Sequence, residues 1–197
     1  LIPYIDECLG ATRNRDFVFV VSVQGHGAYP TEEVLEDPAI EVTGAETEEK
    51  NCQWEYYVNS LHEMDQFVRD LIDDVEKRGE PTVIMFYGDH LPTMGLTDSD
   101  LIVGSTFQTR YLVWDNIGLP REKKDIWAYQ AVAEMFNHMD LHEGTMFRFH
   151  QTMQDKELYQ LDLQTLQYDI LYGKKYVYGQ SDPFSRKAMA MGIKRIE

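Results

Sequence analysis

The apolar run at residues 82–87 constrains this chain most, because it carries no charged side chain and stops abruptly at Gly88-Asp89-His90. A continuous β-prone run of this length is typical of a strand buried on both faces of a parallel sheet. In open α/β sheets, ligands bind beyond the carboxyl ends of the strands, and Gly88 allows the backbone to turn there. The run therefore predicts a strand that delivers Asp89 and His90 to a cleft.

A second run of the same kind, residues 17–23, is followed by Gln24-Gly25-His26-Gly27. Two buried strands that each end at a glycine and a histidine, with helical sequence between them, predict parallel neighbours. Their carboxyl ends would then bring His26 towards Asp89 and His90. The alternative interpretation is that His26 is a polar turn residue between two flexible glycines.

Helical sequence separates the two runs. Residues 54–78 place apolar side chains at spacings of three and one, which is typical of one face of an amphipathic helix, and Gly79 is a typical helix end. The strand, helix and strand then form a right-handed crossover between parallel strands. Residues 109–116 predict a third strand, and later helices are expected at about residues 126–139 and 158–172. The sequence predicts an α/β fold with a mostly parallel sheet flanked by helices.

The net charge limits the possible partners. The chain has 197 residues, enough for one domain, and a formal charge of −16, which argues against nucleic acid as a ligand. An anionic substrate would need a local cation, and a bound metal ion would supply one. Acidic residues crowd positions 31–50, which we interpret as a solvated loop or as an acidic rim over the cleft.

Three residue pairs are candidate metal or redox groups. Asp89 and His90 combine a carboxylate with an imidazole, both good ligands for a divalent ion. His138 and His142 share the spacing of one helix face, but the adjoining sequence suggests that the helix ends there, which favours a capping role. The two cysteines, Cys8 and Cys52, could pair or remain free, and two alone form neither a disulfide framework nor a zinc site.

Four segments taken together resemble one known family. They are VSVQGHGAY at residues 21–29, PTVIMFYGDH at 81–90, TRYLVWDN at 109–116 and LQYDILYG at 166–173. In this order and spacing the chain resembles the C-terminal part of the lipoteichoic acid synthase and phosphoglycerol transferase family, within the sulfatase and alkaline phosphatase superfamily. The resemblance implies that residues 1–197 are the C-terminal portion of a sulfatase-like, alkaline phosphatase-like catalytic domain.

The resemblance also implies a chemistry. Asp89 and His90 resemble two ligands of a catalytic Mn²⁺ or Mg²⁺, and His26 resembles the histidine that contacts the substrate phosphoryl group. The implied reaction transfers glycerophosphate from an anionic, phosphatidylglycerol-type donor, through a covalent phosphothreonine, to a glycerophosphate or glycan acceptor. No segment before Phe17 resembles the family's nucleophile region, so no catalytic nucleophile is expected in this chain, and the chain alone is expected to be inactive.

The resemblance further implies an extracytoplasmic catalytic domain of a membrane-anchored bacterial protein. Two other functions are compatible with the same resemblance. A sulfatase or phosphoethanolamine transferase of the same superfamily would keep the metal pair, and a non-catalytic binding or sensory domain would keep only the fold.

Overall fold

The computed structural model describes residues 1–102 and 104–178, which fall into two compact units. The first unit is Leu1–Gly118, and the second begins at Leu119. Each unit is described separately below. Within the described residues, no helix combines the length and the apolar character that crossing a membrane requires.

Helix α2, Glu48–Arg78, is the longest element of the first unit. It begins earlier than the predicted residue 54, because the hydroxyl of Thr47 caps it by accepting a hydrogen bond from the Lys50 N–H at 3.2 Å. The predicted end is confirmed: Gly79 adopts a left-handed conformation with φ 71°, and its N–H donates to the Val75 carbonyl at 3.2 Å. Capping therefore fixes both ends of this helix.

The hydrophobic core of the first unit lies between α2, the short helix α1 at Ile2–Gly10, and the two strands. Its buried centre is Ile5, Leu71 and Val75, surrounded by Ile2, Leu9, Phe67, Ile84, Phe86 and Trp114. Complete burial of one such side chain contributes about 1.5–3 kcal/mol. The two cysteines, in α1 and α2, are free thiols.

The two strands of the first unit, β1 at Val83–Tyr87 and β2 at Tyr111–Asp115, pair antiparallel. The strand positions agree with prediction, but the mostly parallel sheet does not apply to this pair. A parallel neighbour requires a long crossover, usually a helix. Between β1 and β2 the described residues contain only the 3₁₀ turn Asp98–Asp100, so the chain returns in the opposite direction.

Residues 17–23, predicted to be a buried parallel strand, belong to no strand in the described part of the chain. Most of their apolar side chains are exposed to solvent, and Val23 is 78% exposed. Side-chain propensity favours an extended backbone here, but a strand also requires a hydrogen-bonded neighbour. The segment therefore has the composition of a buried strand but belongs to no strand of the described sheet.

The connecting segments of the first unit are fastened by side-chain hydrogen bonds. The acidic segment is a loop up to Thr47, and Asn59 of α2 holds it by bonding both the N–H and the carbonyl of Ile40, at 3.1 and 2.8 Å. Asp98 and Asp100 cap turns by accepting hydrogen bonds from Thr106 and Thr97. The bonds from Thr97 also lower the pKa of Asp100.

The second unit contains three helices among its described residues: α3 at Ala131–His138, α4 at Thr145–Met153 and α5 at Tyr159–Leu171. Sequence reasoning did not predict α4. Because α3 ends at His138, His142 lies beyond it and bonds Asp140 and Gln151 instead, so this pair does not share a helix face. Residues 174–197 read as a basic, loop-like tail in the sequence, and residues 179–197 lie outside the described residues.

A buried hydrogen-bonded chain joins the elements of the second unit. The Gln130 side-chain amide donates to the Tyr159 hydroxyl at 3.1 Å, and that hydroxyl lies 2.7 Å from Nδ1 of His150. His150 is only 6% exposed, and burial lowers its pKa. With Gln130 supplying one proton, the Tyr159 hydroxyl can donate its own to an unprotonated Nδ1. The buried chain is therefore complete when the imidazole is neutral.

We expect the second unit to lose stability as the pH falls below about 6.5, the ordinary pKa of histidine. The lowered pKa of His150 means that the unfolded chain binds a proton before the folded chain does, so acid favours unfolding. Urea denaturation at pH values between about 7.5 and 5.5 should show this loss, and His150→Phe should reduce it.

His142 provides the matched control. Hydrogen bonds to Gln151 and Asp140 raise the pKa of His142, so its contribution has the opposite sign, being present in acid and lost as the pH rises. A His142→Gln variant should therefore lose more stability in acid than the unsubstituted chain. A His142→Gln variant with the same stability across this range would contradict the role assigned to His150.

Candidate metal and substrate site

The predicted metal ligands, Asp89 and His90, lie just beyond the end of strand β1. After Tyr87 the chain leaves the strand, and Asp89 and His90 lie in solvent with side chains 77% and 50% exposed. The Asp89 carboxylate accepts a hydrogen bond from the backbone N–H of His90 at 2.9 Å through Oδ1. This bond fixes the carboxylate against the next residue, so the two side chains form one local unit.

The contacts of His90 determine which ring nitrogen is available. Nδ1 lies 2.8 Å from the carbonyl oxygen of Leu91. A carbonyl can only accept, so Nδ1 carries the proton, and Nε2 of the neutral ring keeps its lone pair. Metal-binding histidines commonly bond the second nitrogen to a carbonyl in this way. Nε2 lies 3.7 Å from Oδ1 of Asp89, so the two lone-pair atoms are neighbours.

The spacing of these two atoms fits a shared divalent ion. Two ligand atoms this close together could both hold one divalent ion. Among the described residues, however, no group of three or more His, Cys, Asp or Glu side chains is arranged to hold a metal. Asp89 and His90 therefore fit as one pair of ligands, and an octahedral ion would take its other ligands from elsewhere.

His26 lies in a tight turn fastened to α2. Its N–H donates to the Val23 carbonyl at 3.1 Å, and Gly25 and Gly27 on either side have φ values of 81° and 129°, which favour glycine. The hydroxyl of Tyr29 donates to the Gly25 carbonyl at 2.8 Å. Tyr29 is 8% exposed, and burial raises its pKa, so this donor proton is retained.

The turn also contacts the helix through side chains. Tyr29 packs edge-to-face on Tyr57 of α2 with ring centroids 5.7 Å apart, and Gln53 donates to the Tyr29 carbonyl at 3.3 Å. Gln24, beside the turn, is hydrogen-bonded to Glu63 of the same helix. These contacts hold the backbone on both sides of His26, while the His26 side chain itself stays exposed.

The two strand-end motifs meet although residues 17–23 form no strand. The imidazole rings of His26 and His90 stand 5.8 Å apart between centroids, edge to face at 73°. The structure therefore brings together the three predicted site residues, Asp89, His90 and His26, at one exposed surface of the first unit. Such a group can offer two metal ligands and a separate imidazole that donates to or accepts from a nearby substrate.

Sequence reasoning missed two residues at this surface. One is Tyr29, whose signal in the sequence was an aromatic residue two positions after Gly25-His26-Gly27. The other is Arg110, whose carbonyl accepts from the Gly88 N–H at 3.3 Å, directly before Asp89. The signal for Arg110 was a cation near the start of the predicted third strand.

Comparisons with known proteins agree with the superfamily. The sequence profile of the sulfatase family, described as Sulfatase, matches residues 1–146. A protein of Rhizobium meliloti (strain 1021), named for cyclic beta-1,2-glucan modification, is 32% identical over 78 residues, which cover 40% of this chain and 12% of that protein. The chain therefore spans a small part of that relative's length.

No solved structure gives a significant match to the chain. The family profile covers well over half of the sequence, including the turn at His26 and the pair Asp89-His90. The chain belongs to the sulfatase family, whose members are hydrolase-like and transferase-like enzymes that generally depend on a metal ion.

Proposed function

We propose that this chain is part of a metal-dependent phosphoglycerol transferase of the bacterial cell envelope, resembling lipoteichoic acid synthase. The proposed donor is an anionic lipid of the phosphatidylglycerol type, and the proposed acceptor is a glycan or a glycerophosphate polymer. Membership of the sulfatase family supports the reaction class, and the relative named for glucan modification supports a glycan acceptor. Such a reaction would place this domain outside the cytoplasm in a membrane-anchored protein.

The observation that carries the proposal is the meeting of His26 with His90, at 5.8 Å between ring centroids. His90 also keeps its Nε2 lone pair facing Asp89, because Nδ1 is bonded to the Leu91 carbonyl. If His26 were only a polar turn residue, nothing would require it to lie beside Asp89 and His90. The arrangement suits a phosphoryl group that contacts an ion on one side and an imidazole donor on the other.

Each residue has a separate role in the proposed reaction. Asp89 and His90 would hold Mn²⁺ or Mg²⁺, which when bound supplies positive charge to the phosphoryl oxygens and favours ionisation of the nucleophile. His26 would donate a hydrogen bond to a phosphoryl oxygen, where negative charge grows in the transition state. The glycines beside His26 leave space for the substrate to approach the backbone.

The covalent step requires a nucleophile that we assign to polypeptide outside these 197 residues. By the resemblance it is a threonine, whose oxygen bonds to the donor phosphorus as the bond to diacylglycerol breaks. Diacylglycerol leaves with the threonine proton, and an acceptor hydroxyl then displaces the threonine oxygen, to which the proton of that hydroxyl returns. Sulfate-ester hydrolysis is the second candidate, favoured by the family profile itself, and it would use the same ligand pair.

We expect the chain to bind Mn²⁺ weakly, because two protein ligands leave most of the coordination sphere to water. Titration followed by water-proton relaxation should give millimolar affinity, and Asp89→Asn or His90→Ala should remove it. The control is His142→Ala, since His142 lies in the second unit and should leave the affinity unchanged. Tight, stoichiometric binding would show that further ligands lie within the chain.

The chain alone should not turn over phosphodiester or sulfate-ester substrates, because bound metal without a nucleophile provides no covalent route. The measurement is release of 4-nitrophenol from bis(4-nitrophenyl) phosphate and from 4-nitrophenyl sulfate, with Mn²⁺ present. Metal-dependent release that disappears in an Asp89→Ala variant would refute the expectation and assign a complete active site to this chain.

His26→Ala should separate a functional role from a structural one. Since the side chain is exposed, the change should alter the unfolding free energy of this chain by no more than about 0.5 kcal/mol. In a longer protein that contains the nucleophile, it should lower phosphoryl transfer about a hundredfold or more. The control is His62→Ala on α2, where His62 bonds only Gln66 among the described residues and neither quantity should change.

The opposite pattern would reject the role of His26. In that pattern, His26→Ala destabilises this chain by about 1–3 kcal/mol, the cost of leaving buried polar groups unpaired. The longer protein with the same substitution then keeps its turnover per folded molecule.

A further inference from the structure

An ester anion entering this acidic protein needs a positive group beside the metal pair. Three cations of the first unit are already engaged: Arg69 pairs with Asp65, Arg78 with Asp6 and Glu80, and Lys50 donates to the Met94 carbonyl. Arg110 is exposed and forms no ion pair with any residue in the ranges 1–102 and 104–178. Its charge is therefore available to a ligand.

The sheet register fixes Arg110 beside the candidate site. Tyr87 pairs with Tyr111, so the next residues outward, Gly88 and Arg110, oppose each other. The Gly88 N–H donates to the Arg110 carbonyl at 3.3 Å, and the Thr109 hydroxyl donates to the Gly88 carbonyl at 2.7 Å. Gly88 immediately precedes Asp89, so the backbone of Arg110 is tied to the backbone that carries the metal ligands.

Close packing at Gly88 reinforces this tie. A Cβ placed at Gly88 would lie 3.7 Å from Cβ of Thr109, which is ordinary van der Waals contact. The side chain of Thr109 therefore lies beside the Gly88 backbone, one residue from Arg110. The two hydrogen bonds hold the Thr109–Arg110 backbone against Gly88, while the Arg110 side chain is exposed.

Arg110 also lines a polar cleft with Gly104, Gln108 and Thr109. The Gln108 N–H donates to the Ser105 carbonyl at 2.9 Å, which forms a turn. A Cβ at Gly104 would meet the side-chain oxygen of Gln108 at 2.5 Å, so the absence of a side chain there leaves room for that amide. The lining residues thus include one that carries a guanidinium and one that carries a side-chain amide, and none in the described part of the chain carries a carboxylate side chain.

We propose that Arg110 and this cleft bind the tetrahedral oxyanion of the substrate ester. A guanidinium donates two parallel hydrogen bonds to the oxygens of a phosphate or sulfate group, and the bonds are strengthened by charge. Gln108 supplies a neutral donor beside it. The inference rests on the proposed function, because it assigns the anionic group of that substrate to a residue next to the proposed metal pair.

The test is a titration of the 197-residue chain with inorganic phosphate in EDTA, followed by the arginine Nε–H signals in ¹H–¹⁵N spectra. The Arg110 signal should shift with phosphate, and Arg110→Gln should weaken binding at least about tenfold, the scale for one charge-assisted hydrogen bond. Arg69→Gln is the matched control, since Arg69 is an exposed arginine of the same unit already paired with Asp65.

Arg110→Lys keeps the positive charge but lacks the paired N–H donors of the guanidinium. It should therefore bind phosphate more tightly than Arg110→Gln and less tightly than the unsubstituted chain. Methyl phosphate and methyl sulfate then distinguish the two ester classes by which binds more tightly, and either must depend on Arg110. Absence of phosphate binding, unchanged binding in Arg110→Gln, or equal loss in Arg69→Gln would overturn the inference.

The titration is independent of the proposed metal site, because EDTA removes divalent ions. Phosphate binding that depends on Arg110, in a chain that shows no Mn²⁺ binding at Asp89, would keep this inference and reject the metal part of the proposed function. Mn²⁺ binding at Asp89 without Arg110-dependent phosphate binding would keep the metal part of the proposed function and reject this inference.

Discussion

The first unit depends on covering the apolar stripe of α2, because an amphipathic helix of this length gains most of its stability from packing. Leu71 and Val75 fill the core against α1 and both strands. Further along the same helix, Asn59 holds the acidic loop and Tyr57 holds the turn of His26. One helix therefore supports the fold at one end and positions a site residue at the other, which couples the site to the core.

Local signals in the sequence predicted elements that are determined locally. Gly79 after a run of spaced apolar residues predicted the end of α2, and the uninterrupted residues 82–87 predicted β1. Strand pairing depends on distant contacts, so residues 17–23 were predicted to be a strand but belong to none in the described part of the chain. Helix α4 was missed because neither a capping side chain nor an acidic first turn marks its start.

In the site, too, features set by local sequence could be predicted and features set by distant contacts could not. Asp89 and His90 follow β1 directly, so their exposure at a strand end could be predicted, and the expected approach of His26 is seen in its ring contact with His90. The position of Arg110 could not be predicted, because it depends on the register that sets Tyr87 opposite Tyr111. In a parallel sheet, as first expected, the start of that strand would lie at the opposite edge from the end of β1.

The exposed apolar segment at residues 17–23 has a consequence for the behaviour of the chain in solution. Exposed β-prone segments of this kind are templates for pairing between molecules, the first step of edge-to-edge aggregation. The formal charge of −16 opposes such encounters by mutual repulsion. Salt screens this repulsion within about 10 Å at 0.1 M, while the apolar attraction persists. Colloidal stability of this acidic polypeptide therefore depends on low ionic strength, unless another strand covers the segment.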